Sequence, residues 1–202
     1  MTSRPKPLQD FLSVALDVFM EAASGSESQS ALSRIERALA KSAPVPAQEG
    51  RCLPVCSHLR AFEEKGSGRT ALGGLLDRFF ELEPRLVWRG RAGDMTNAST
   101  NFTEGHANAV IVGPSGMERR SDVWLGVSLL APHVRYPDHS HPPEEIYLVA
   151  SKGEFRHGGS NWFEPGPGGS FYNSPGIDHA MRSRDTPLLA FWFLCSGDAD
   201  QA

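Results

Sequence analysis

Twelve consecutive residues, Tyr136-Pro-Asp-His139-Ser-His141-Pro-Pro-Glu-Glu145-Ile-Tyr147, restrict the fold of this chain more than any other stretch. Two histidines separated by one residue share a side only in extended backbone, because on a helix they would diverge by about 200°. If the strand ran straight on, Glu145 would lie about 13 Å past His141 at about 3.3 Å per residue, too far to join the imidazoles. A bend is therefore required, and Pro142-Pro143 supplies it, since proline cannot donate to a sheet ladder. Beyond the bend, Glu145 and Tyr147 share one face again. A further histidine, His179, follows His141 by 38 residues behind the turn Ser174-Pro175-Gly176. Two close histidines, a carboxylate and a distant histidine are metal-ligand chemistry. Pro142-Pro143-Glu144-Glu145 also suits the first turn of a helix. Against that, Ile146-Tyr-Leu-Val149 is β-branched and aromatic, and Gly153 closes the run early.

The remaining chain divides by texture. Apolar residues at helical spacing mark residues 8–23 (Leu8, Phe11, Leu12, Ala15, Leu16, Phe19), 29–42 (Leu32, Ile35, Leu39), 55–64 and 72–82 (Leu75, Leu76, Phe79, Phe80, Leu82). From about Leu86 onward, glycine and proline punctuate short apolar runs: residues 109–112, 123–130, 145–150, 153–156, 161–163, 169–172, 179–182 and 188–195. Short strands at such spacing predict a sandwich or barrel. The expected architecture is mainly β with an α-helical N-terminal extension, residues 1–97 packing on a barrel formed by 98–196. In the strand after the bend, inward Glu145, Tyr147 and Val149 leave Ile146 and Leu148 pointing out. The apolar helix stripes are the expected cover.

Charge and cysteines narrow the partners. A net charge of −4 over 202 residues, without a basic stripe, argues against a nucleic-acid partner, and no run of 18 apolar residues suggests a membrane span. Three cysteines form no paired disulfide framework, and the N-terminus has no apolar leader. A small-molecule partner and a cytoplasmic location are expected.

The histidine pattern resembles the cupins, small double-stranded β-helix barrels that hold a metal in the mouth. His139-Ser-His141-Pro-Pro-Glu-Glu145 fits their first motif. In the second, Gly168, Gly176 and His179 are in place, while Pro175 is displaced by one, Ser183 stands where asparagine is usual and His133 where the first motif has glycine. The run from Tyr136 to Tyr147, with His179 and the helical N-terminal half, more closely resembles the Q-type cupin lyases that cleave dimethylsulfoniopropionate (DMSP) into dimethyl sulfide and acrylate. That resemblance implies a carbon-sulfur lyase with His141, Glu145 and His179 as metal ligands and Tyr147 as catalytic base. It also implies that Tyr136 and His139 line the substrate site, although in a generic cupin His139 would itself be a ligand.

The implied chemistry is coherent. Removing a proton next to a carboxylate is the hard step, and a divalent cation (Fe, Zn, Mn, Co or Ni, all compatible with imidazole and carboxylate) would stabilise the developing charge and favour a phenolate. A sulfonium prefers aromatic walls, for which Trp124, Trp162, Tyr172, Phe191, Trp192 and Phe193 are available. Two other classes fit the same ligands: an Fe(II)-dependent cupin dioxygenase acting on a small carboxylate, and a non-catalytic small-molecule-binding cupin.

Overall fold

The computed structural model describes residues 4–63 and 70–195. Helices come first: α1 (Lys6–Ala22), α2 (Ser26–Leu39), a 3-10 turn Pro54–Leu59 running into α3 (Arg60–Glu63), and α4 (Ala71–Leu82). Prolines at 5 and 7 open α1, where no intrahelical N–H partner is lost. Thr70 caps α4 by accepting from Gly73 N at 3.0 Å. A short α5 (Phe102–Gly105) leads into seven strands: β1 (His106–Val112), β2 (Val123–Leu130), β3 (Glu144–Val149), β4 (Glu154–His157), β5 (Ser170–Asn173), β6 (His179–Arg182) and β7 (Leu188–Cys195). The segment 161–163, expected as a strand, makes only an isolated bridge between Phe163 and Phe155.

All strand pairs are antiparallel, in a five-stranded sheet ordered β1-β2-β7-β3-β5 and a two-stranded sheet β4-β6. This is the cupin-type barrel. The period of two sorts each strand between two cores. On β7, Leu189, Phe191, Phe193 and Cys195 join the core shared with the helices, whereas Leu188, Ala190 and Trp192 face the barrel interior. On β3, Ile146 and Leu148 take the helix side, and Tyr147 and Val149 the interior. The outer face is covered by ring contacts: Phe11 on Phe191 at 6.2 Å, Phe79 on Phe191 at 5.2 Å and Phe19 on Phe193 at 4.7 Å. Burying side chains of this size stabilises the helix-sheet interface by about 1.5–3 kcal/mol each.

A charged cluster adds to that apolar interface. Glu118, fully buried, accepts from both Arg4 and Arg120 and from Ala43 N at 3.1 Å. Arg120 also donates to the carbonyls of Ala38 (2.7 Å) and Lys41 (3.0 Å), satisfying backbone acceptors at the end of α2. Burial alone would raise the Glu118 pKa, but the Arg4 hydrogen bond, with further help from Ala43 and the two arginine charges, holds it below the usual value.

Turn chemistry explains two departures from the cupin pattern. His133, at the glycine position, has φ +58°, the left-handed conformation that glycine normally supplies. Ser183, at the asparagine position, accepts from Val134 N at 2.9 Å and donates to the Ala131 carbonyl at 2.5 Å, tying down that same turn. Among the described residues no helix is long and apolar enough to cross a membrane. Cys52, Cys56 and Cys195 are not in disulfides.

Candidate metal centre

The backbone bends at Pro142–Pro143 between His141 and β3. His139 is paired antiparallel with His179, the first residue of β6, through N–H to carbonyl bonds of 3.1 and 2.9 Å. Strand pairing thus brings the distant histidine to the first pair. Each imidazole is oriented by a backbone carbonyl two residues away: Nδ1 of His139 by Pro137 (3.0 Å), of His141 by Pro143 (2.9 Å) and of His179 by Ile177 (3.0 Å). A carbonyl only accepts, so each Nδ1 bears a hydrogen, and Nε2 is the ring atom left to bind a metal when the imidazole is neutral. Such outer partners orient metal-binding histidines.

The donors converge. Ligand atoms of His139, His141 and His179 lie within 4.8 Å of one another. Oε2 of Glu145 lies 3.1 Å from His179 Nε2 and 3.5 Å from His141 Nε2. Among the described residues His179 Nε2 is buried without a hydrogen bond, an orphaned polar atom beside a carboxylate. Opposed ligands at about 2.1 Å span about 4.2 Å, so small side-chain movements close this ring of donors on one ion. The residues fit a divalent transition metal, and every candidate ligand stands in the ring.

The charge balance is set by protein groups. Burial opposes ionisation of Glu145, yet the two imidazoles beside its carboxylate, His141 and His179, win and hold its pKa at about 2. Burial, then the neighbouring His179, pushes His139 down to about 3. His141 is lowered by burial but raised more by Glu145, for a net upward shift. Tyr147 is held well above the usual phenol value by burial first and the Glu145 charge second.

Tyr147 follows Glu145 on the inner face of β3, its ring stacked on Phe171 at 5.0 Å and tilted against Phe155 at 5.5 Å. Tyr136 is buried, and its hydroxyl accepts from Asn108 at 2.8 Å. Tyr136, Tyr147, His139, His141 and Glu145 line one cavity of about 130 Å³, together with Arg91, Asn108, Ser128, Trp192 and Leu194. Of the six aromatics available for a sulfonium wall, Trp192 alone is in this lining. Trp162 is instead stacked by Arg135, Arg156 and Arg182, Tyr172 donates to Glu144, and Phe191 and Phe193 face the helices. Gly126, opposite Trp192 in the ladder, makes room for the indole, because a Cβ there would lie 2.2 Å from the ring.

Sequence reasoning missed Asn173, His157, Asn108 and Arg91. Asn173 pairs with Glu145 in the β3–β5 ladder and donates to its Oε2 at 3.0 Å, while His157 Nδ1 donates to Asn173 Oδ1 at 2.8 Å. Extending the run 109–112 one residue backward would have exposed Asn108 as a polar residue in phase with the interior Val110. Arg91, in a coil between glycines, carries no such signal.

The sequence model of the dimethylsulfoniopropionate lyase family matches residues 27–190. Dimethylsulfoniopropionate lyase DddQ of Ruegeria pomeroyi is 28% identical over 134 residues, covering 66% of this chain and 66% of that protein. This chain thus spans about two thirds of that relative. The crystal structure of DMSP lyase DddQ from Ruegeria pomeroyi superposes with a TM-score of 0.72 at 23% identity, over 98% of this chain and 95% of the other. A chain from the crystal structures of DMSP lyases RdDddP and RnDddQII gives 0.69 at 20% identity, over 98% and 96%. At such identities the structural likeness establishes the shared fold.

Proposed function

Because this chain belongs to the dimethylsulfoniopropionate lyase family, we propose that it cleaves DMSP to dimethyl sulfide and acrylate, with His141, Glu145 and His179 as metal ligands and Tyr147 as base. The observation that carries this reading is the shared inner face of β3: Glu145 and Tyr147 line the same cavity as His139 and His141. His139, whose ligand atom lies within 4.8 Å of those of His141 and His179, is assigned with Tyr136 to the substrate site.

On protein groups alone, Tyr147 holds its proton at neutral pH. A bound divalent cation supplies positive charge that offsets Glu145, favours the phenolate and stabilises charge developing on the substrate carboxylate. The Tyr147 oxygen then takes a proton from the carbon next to the carboxylate. The C–H electron pair becomes the carbon-carbon double bond, and the C–S bond breaks with its pair remaining on sulfur. Neutral dimethyl sulfide leaves, acrylate remains, and the proton is on Tyr147. His139, with a pKa near 3, is too weak a base to compete. Phe155 and Phe171 fix the Tyr147 ring, and Trp192 offers the sulfonium a π face.

The elimination is redox-neutral. Protein loaded with a divalent metal (Fe, Zn, Mn, Co or Ni) is expected to release dimethyl sulfide from DMSP equally well with and without oxygen, assayed in the headspace. Oxygen consumed in step with product would replace this reading with an oxygenase, and no sulfide from any loaded form would end it.

A further inference from the structure

Nε of Arg91 is buried and has no hydrogen bond among the described residues, although Arg91 lines the cavity. Nor does any described carboxylate lie within salt-bridge distance of it. Arg91 as a whole is half-buried, but leaving this one N–H buried and unpaired is costly, and buried polar groups normally find partners.

The arginine is held deliberately in place. Its backbone N–H donates to His106 Nε2 at 2.6 Å, and His106 Nδ1 donates to the Phe102 carbonyl, also at 2.6 Å. The His106 ring stacks on Phe102 at 3.7 Å. An N–H on one side and a carbonyl on the other require the neutral Nδ1–H tautomer. From this anchor the guanidinium carbon lies 5.6 Å from the Tyr136 ring centroid. Tyr136 contributes a second donor: its oxygen accepts from Asn108 Nδ2, leaving its own hydrogen to point elsewhere.

We infer that Arg91, assisted by the Tyr136 hydroxyl, forms a subsite for the carboxylate of a small organic acid. Guanidinium and carboxylate match in charge and fork geometry. A carboxylate has about four lone-pair directions, enough to serve Arg91 and the neighbouring cluster together. On the lyase reading, which this inference deepens, the subsite also sets polarity. A zwitterion with carboxylate at one end and sulfonium at the other enters with its anionic end towards Arg91, because the cationic end is repelled there and attracted by Trp192. Arg91 is thus a positioning residue that discriminates substrates by their negative end.

The test uses binding without turnover. Propionate and its neutral isostere propionamide are titrated calorimetrically into metal-loaded wild type, Arg91→Met, Arg91→Gln and Arg91→Lys, with metal content and melting temperature recorded for each. Wild type should prefer propionate. The Met and Gln variants should lose propionate affinity by about 10- to 100-fold, the worth of a charged hydrogen bond, while propionamide binding and metal content are unchanged. The Lys variant should recover part of the loss. Propionate affinity within twofold of wild type in a folded Met or Gln variant would overturn the subsite, as would failure of wild type to prefer propionate. Should no neutral variant fold, a folded Lys variant with wild-type propionate affinity and geometry-independent binding of any cationic side chain would overturn it, and a weakened one would support it. Arg91-dependent propionate binding without release of dimethyl sulfide from DMSP would remove the lyase reading and keep the subsite. Sulfide release that is indifferent to Arg91 would do the reverse.

Discussion

Asn173 donates its Nδ2 hydrogen to Glu145 Oε2 at 3.0 Å from the opposite position of the β3–β5 ladder. The same oxygen faces His141 and His179 at 3.5 and 3.1 Å. Sheet pairing therefore fixes the carboxylate, and His157 fixes Asn173 in turn through its Oδ1.

Removing this support should loosen the metal before it loosens the fold. Asn173→Ala is expected to weaken metal affinity by about 10- to 100-fold, the usual cost of losing an outer partner of a ligand. Competition against a chromophoric chelator measures it. Affinity equal to wild type would show that Glu145 needs no such support.

Metal retention should depend on pH through His141. Only its neutral form donates to a metal, and its pKa lies above the usual 6.5. Affinity is therefore complete above that raised value and falls as pH drops through it, beginning at a higher pH than for an ordinary histidine. His139, at about 3, stays neutral throughout this range. Chelator competition between pH 8 and pH 5 should show the decline starting above 6.5. A flat profile would remove His141 from the ligand set.

The helix-barrel junction should fail in acid. Glu118 is depressed below its reference value of 4.5, so its contribution to stability is present above that value and disappears as pH falls through the lower folded one. Glu118→Gln leaves Arg4 and Arg120, both nearly buried, without their shared anion. A loss of about 3–5 kcal/mol is expected at pH 7, read from urea denaturation, with the gap to wild type narrowing towards pH 3. An undiminished gap would place the stabilisation elsewhere.

Much of this arrangement was legible in the sequence because it follows from period and punctuation. The i, i+2 histidines required extended backbone, the two prolines required a bend, and the alternation along β3 separated Ile146 and Leu148 from Tyr147. Residues 123–130, 179–182 and 188–195 match β2, β6 and β7 to the residue. What stayed hidden depends on pairing across the barrel. Asn173 matters because the register sets it opposite Glu145, and Arg91 because a histidine 15 residues away receives its backbone N–H. Which aromatic reaches the cavity was hidden for the same reason: composition supplied six available rings, and only the face assigned by β7 pairing brought Trp192 to the cavity.

The central claim is that Tyr147 removes the proton, and Tyr147→Phe tests it most directly. The substitution deletes one oxygen and keeps the ring that stacks on Phe171 and Phe155, so folding and metal content should match wild type. Turnover of DMSP, measured as kcat from dimethyl sulfide release, should fall by about 10²- to 10⁴-fold, the usual worth of general-base catalysis. A metal-replete Tyr147→Phe protein that keeps more than about a tenth of wild-type kcat, with the change confined to KM, would contradict the account and assign Tyr147 to substrate orientation alone.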